Sequence, residues 1–165
     1  MTLMRVRQVV PCATHNRVII VLEDAAGRQA LTFYADPEDA RRLAREIARG
    51  RHVWHPIYDF VHGLLQALQA AATRVVLEDA NGGGIGSLLY LRHAESEIRI
   101  RCYPPDALAF ALRNGVPIYA TREALAHAEP LPPHSDTEHR RPEFQQWLES
   151  LKPSNFSSHV EDTDM

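Results

Sequence analysis

Residues 101–120, RCYPPDALAFALRNGVPIYA, decide how the chain is read. A β-like run ends at Tyr103, two prolines and an aspartate follow, an Ala/Leu/Phe pattern at helical spacing runs to Asn114-Gly115, and a second β-like run begins at Val116. Pro104 and Pro105 preset φ for a first helical turn, and Asn-Gly suits a helix end. The unit therefore reads strand, short helix, strand. Asp106 falls in the first turn, where a carboxylate can accept backbone N–H bonds and favour the positive end of the dipole. Helix starts are also where ligand sites collect, so two readings stand: capping alone, or capping combined with a ligand or metal contact. Pro117 has no ladder donor, which predicts an edge position or a strand start for VPIYA.

Upstream, TRVVLEDANGGGIGSLLYLRHAESEIRIRCY reads as three strands, joined around Asn81-Gly82 and around Ala94 to Ser96. Earlier still, RVIIVLED and RQALTFY flank a Gly-containing turn and read as a hairpin, so the first third is β-rich. YADPEDARRLAREIARG carries every helix signal: Asp36 to cap, Pro37 in the first turn, Glu38 and Asp39 at the positive end of the dipole, Gly50 to close. Its Ala40, Leu43, Ala44 and Ile47 make the apolar stripe, leaving Arg41, Arg42, Arg45 and Arg49 toward the flanks or solvent. After Pro56, the spacing of Phe60, Val61, Leu64, Leu65 and Leu68 predicts a second helix. Helices are expected near 37–49, 58–70 and 105–113, with a weak one in TREALAHAE. The expected core includes Ile20, Leu43, Ile47, Leu64, Leu68, Val76, Ile100, Leu108 and Leu112.

These elements predict an α+β domain over residues 1–128, a mixed and mostly antiparallel sheet with packed helices. Residues 129–141 then read as a Pro-rich linker, and residues 142–165 as a short amphipathic helix, with Phe144, Trp147, Leu148 and Leu151 on one face, followed by an acidic tail. The chain has 165 residues, 45% of them hydrophobic, enough for one core. No run of about 18 apolar residues is present, which argues against a membrane span. Cys12 and Cys102 have no CxxC spacing, and no secretory h-region is evident, so a cytoplasmic location is expected. A formal net charge of −3 confines any polyanion site to one face.

Signatures of common ATPases, zinc hydrolases and serine hydrolases are missing. NGGGIG lies between two β-like runs with no helix after it, and reads as a hairpin turn rather than a phosphate loop. His52, His55 and His62 with Asp59 could hold a metal, or could cap, pair or sit in solvent. The arginines of the first helix, Arg45 and Arg49 among them, could hold phosphate through bidentate bonds, or form a solvated face.

In order and spacing, FYADPEDARRLA, HPIYDFVHGLLQAL, YPPDALAFALRNGVPIYA and EFQQWLESLKPSNF together resemble the bifunctional nuclease domain family. The resemblance implies a small α+β domain that tends to oligomerise and that cleaves DNA and RNA in some members. Pro104, Asp106, Ala107 and Leu108 match the family's Pro, Asp, Ala and Ile, and Gly115, Pro117, Ile118 and Tyr119 match its following strand. Pro56 matches an earlier proline, with Tyr58 and Asp59 on a His-Asp pair. Tyr103 and His55 stand where the family has arginine, and Pro105 where it has serine, so two phosphate ligands are missing.

The enzyme reading, which the resemblance favours, is a metal-assisted nuclease in which Asp106 and Asp59 are catalytic and hold a divalent cation, Mg²⁺ or Mn²⁺, while Tyr58, His55, Arg101, Arg45 and Arg49 bind the substrate. The missing arginines favour an alternative, a non-catalytic oligomeric binding module. DNA or RNA is the expected partner, alongside a homo-oligomer built from dimers. An exposed VPIYA edge and the C-terminal apolar stripe both favour assembly.

Overall fold

Three antiparallel strands open the fold: β1 (Thr2–Pro11), β2 (Val18–Asp24) and β3 (Ala30–Ala35). They belong to a computed structural model that describes residues 1–12, 16–49, 56–80 and 84–126. Asp24 closes the β2–β3 turn, its Oδ1 accepting the backbone N–H groups of Arg28 at 2.6 Å and Gln29 at 3.0 Å. Gly27 supplies the left-handed φ of 65° that the turn requires. Helices α1 (Pro37–Arg49) and α2 (Pro56–Ala67) follow, then the meander β4 (Ala70–Asp79), β5 (Ile85–His93) and β6 (Ser96–Cys102). The stretch that opened the sequence reading becomes α3 (Pro104–Asn114) and β7 (Ile118–Ala120), and a one-turn α4 (Arg122–Ala126) ends the described chain.

The seven strands form one mixed sheet in the order β3-β2-β1-β7-β4-β5-β6, and the architecture is α+β. β7 runs antiparallel to β1 and parallel to β4. This corrects the expected edge position of VPIYA, because β7 is the central strand. The strand proper starts at Ile118, so the missing N–H of Pro117 falls outside the ladder, and the Pro117 carbonyl still accepts from the Val75 N–H at 2.9 Å.

Strand register puts Ile20, Leu22, Leu31, Phe33, Met4, Ile118, Val75, Leu77 and Leu89 on one face, all buried. α1 packs over β1 and β2, α3 over β4 and β5, and the two helices pack on each other. Of the expected core, Ile20, Leu43, Val76 and Leu108 are buried and Leu112 is half-buried. Ile47, Leu64, Leu68 and Ile100 are exposed, at 41%, 47%, 57% and 43%. The helical period was right and the inferred cover was wrong: α2 buries Tyr58 and half-buries Val61 and Leu65, while Ile57, Phe60, Leu64 and Leu68 lie further round an apolar arc wider than its contact with the body. Ile100 is on the covered face of the sheet, but on β6, beyond the strands over which α3 packs.

Residues 1–131 form one compact unit. The linker, the C-terminal helix and the residues Phe144, Trp147, Leu148 and Leu151 fall outside the described residues. Among the described residues, no helix is long and apolar enough to cross a membrane.

Candidate active site at the junction of three helices

Pro104 and Pro105 occupy the first two positions of α3, and neither has an N–H to cap. The next donor but one, the Ala107 N–H, is taken by the Tyr103 carbonyl at 3.0 Å. The first turn therefore asks little of a side chain, and Tyr103, the N-cap residue, makes no side-chain cap bond. The expected capping role of Asp106 is corrected accordingly. Its Oδ1 accepts from Arg42 Nε on α1 at 2.8 Å and from the Tyr58 hydroxyl on α2 at 3.0 Å. Arg42, expected at a flank or in solvent, is instead a tertiary partner.

Each partner is placed by its helix. Arg42 precedes the fully buried Leu43, and Asp39, one turn earlier on α1, stands 3.7 Å from its Nη2. Among the described side chains of α2, Tyr58 is the one that is buried. Burial pushes its phenol well above the ordinary tyrosine range, reinforced by the Asp106 charge, so it stays protonated and donates. The hydrogen bond to Asp106 also raises the Arg42 guanidinium. Both Arg42 and Asp106 remain about one-third exposed, at 33% and 38% of their side chains, so solvent can reach the pair.

A second junction lies further along the same helices. Asp59 grips Arg113 of α3 through two bonds, Oδ1 to Nε at 2.6 Å and Oδ2 to Nη2 at 2.7 Å. Glu46 of α1 stands 3.5 Å from Nη1 of the same guanidinium. Arg113 and Glu46 are nearly buried, at 9% and 6%. Each junction thus takes one residue from each of α1, α2 and α3, with the polarity reversed: cation on α1 and anion on α3 at Arg42–Tyr58–Asp106, anion on α1 and cation on α3 at Glu46–Asp59–Arg113. Asp106 and Arg113 are two helical turns apart, about 10 Å of rise.

The sequence candidates are therefore separated. Tyr58 and Asp106 meet, whereas Asp59 belongs to the second junction. Arg45 is exposed on α1, and Arg101 on β6 is 84% exposed, 3.9 Å from Glu78. His55 and the side chain of Arg49 lie outside the described residues. Arg113 was not singled out from the sequence; its place seven residues after Asp106, on the same face of a short helix, is the signal that could have found it.

These carboxylates do not fit a resident divalent cation. Asp59 gives both oxygens to Arg113, and Asp106 gives Oδ1 to two donors, so a cation would meet a guanidinium at either carboxylate. Mg²⁺ is held by oxygen ligands in near-octahedral geometry. Among the described residues, no group of three or more His, Cys, Asp or Glu side chains is arranged to hold a metal.

Two uncharacterized proteins of Mycobacterium tuberculosis, from strains CDC 1551 / Oshkosh and ATCC 25618 / H37Rv, are each 30% identical to this chain over 153 residues, covering 87% of it and 90% of the relative. The pattern of the bifunctional nuclease domain matches residues 20–131, from β2 through α4 and both helix junctions. With well over half its length matched, the chain belongs to the bifunctional nuclease domain family.

Proposed function

We propose that this protein hydrolyses phosphodiester bonds in DNA and RNA, with Arg42, Asp106 and Tyr58 as the group that meets the phosphate. The observation that carries this reading is the solvent-reached pair at the helix junction. Among the described residues, Arg42 donates Nε to Asp106, also interacts with the Tyr58 hydroxyl, and approaches Asp39 through Nη2 at 3.7 Å, too long for a hydrogen bond. Its terminal N–H groups therefore keep capacity for a phosphate oxygen, the charge neutralisation that phosphodiester cleavage needs. Asp106 is the catalytic candidate, oriented by Tyr58. Asp59 acts as a positioning residue, because its carboxylate is committed to Arg113. The reading places the protein in the cytoplasm and has it work as a homo-oligomer, supported by the exposed apolar residues of α2 and β6.

The test is incubation of the purified full chain with single-stranded DNA and RNA in Mg²⁺, Mn²⁺ or EDTA, beside Asp106→Asn and Arg42→Gln. Wild-type cleavage, lowered about 10²-fold in both variants, supports the reading. Equal rates in all three proteins overturn the assignment of residues. A specific observation favours a second reading: both candidate carboxylates are already paired with arginine, as suits a non-catalytic binding module. Nucleic-acid binding without turnover under every metal condition would establish that alternative.

A further inference from the structure

The sheet has two outer strands, β3 and β6, and they differ in cover. On β3, Leu31, Thr32, Phe33 and Ala35 are buried. On β6, every residue from Ser96 to Arg101 is exposed, Ile98 and Ile100 included, although the strand is paired with β5 along its whole length. Among the described residues no strand pairs with its outer side, a row of backbone N–H and C=O groups about 20 Å long of the kind that proteins cover or pair. Charge is one way to protect such an edge, and charge of a single sign would repel a second copy. β6 and its turn carry both signs in sequence: Glu95, Glu97, Arg99, Arg101.

We propose that two copies of the chain pair antiparallel through β6, about a two-fold axis at Ile98. The proposal rests on the self-association stated above and names its surface. Around a two-fold axis, residues opposite each other share a face of the pleat, so the axis must pass at a residue. With Ile98 opposite Ile98, Glu97 faces the second copy's Arg99 and Glu95 faces its Arg101, each twice by symmetry, and Ser96 faces Ile100. Shifting the axis to Glu97 or Arg99 sets that charge directly against itself, which is destabilising. Glu97 is also held in place, since Arg74 grips both its oxygens at 2.8 and 3.0 Å while stacking on Tyr90 at 3.8 Å. The pairing would merge two seven-stranded sheets and bury Ile98 against its own copy.

Opposite residues of an antiparallel pair have Cα atoms about 4.5–5.5 Å apart, within disulfide range. In a Cys12→Ser, Cys102→Ser background, Ile98→Cys should therefore form a covalent dimer under mild oxidation. Ile100→Cys, on the same face and equally exposed, faces Ser96 and should not. In the otherwise unchanged chain, light scattering should give the wild type a dimer-based mass and Arg99→Glu half of it. Equal cross-linking at the two positions, or an unchanged mass in Arg99→Glu, overturns the β6 interface while leaving self-association standing. A monomeric wild type overturns both.

Discussion

Replacing Asp106 with asparagine keeps the side chain's shape and removes the charge that Arg42 and Tyr58 both address. Tyr58→Phe removes only one of those bonds, and should cost about 1 kcal/mol in denaturant unfolding. Its pH signature is more telling. The Tyr58 phenol is raised above its ordinary value of 10.0, chiefly by burial. The stability that this contributes is complete below pH 10 and is lost as pH rises past 10 toward the folded-state value. Wild-type protein should lose stability in that alkaline window, and Tyr58→Phe should lose less; equal losses would contradict a buried, protonated phenol. Asp24 behaves in the opposite sense. Its pKa is lowered, first by the backbone N–H of Gln29, so its contribution is present above the ordinary 3.8 and lost as pH falls through the lowered value. Asp24→Asn should flatten the acid limb of a pH–melting curve. At the second junction, Arg113→Ala strands Glu46 and Asp59 without their shared cation and should cost about 3 kcal/mol.

At the scale of the element, legibility followed locality. α1 was readable to the residue at its start because Asp36, Pro37, Glu38 and Asp39 act within one turn of chain. α3 was readable for the same reason, down to its end, where Gly115 adopts φ 66° and its N–H bonds to the Ala111 carbonyl. Gly115→Ala should cost about 1 kcal/mol, measured by thermal or urea unfolding, because a Cβ is disfavoured in the left-handed region. What the sequence hid was non-local. Pro117 says which residue lacks a donor, but not that β1 and β4 would arrive on either side of the strand that follows. The α2 period says which residues share a face, but not how far round the helix the body extends, so Leu64 and Leu68 were assigned to a core they do not enter. Asp106 was recognised as a special residue, and its role was misread because its carboxylate serves Arg42 and Tyr58 on two other helices, partners far away in sequence.

Over the whole molecule, the two junctions join the same three helices and differ in access. Arg113 and Glu46 are shut away with their charges paired, whereas Arg42 and Asp106 are open to solvent. In the proposed reading, the open junction handles phosphate and the closed one holds the helices together. The most direct measurement compares cleavage of single-stranded RNA by wild type, Asp106→Asn and Asp59→Asn, at a temperature below the melting point of all three. The account predicts that Asp106→Asn loses about 10²-fold in rate with a small change in melting, while Asp59→Asn melts several degrees lower and cleaves at close to the wild-type rate. A wild-type rate in Asp106→Asn, or a loss of cleavage in folded Asp59→Asn as large as in Asp106→Asn, would contradict it.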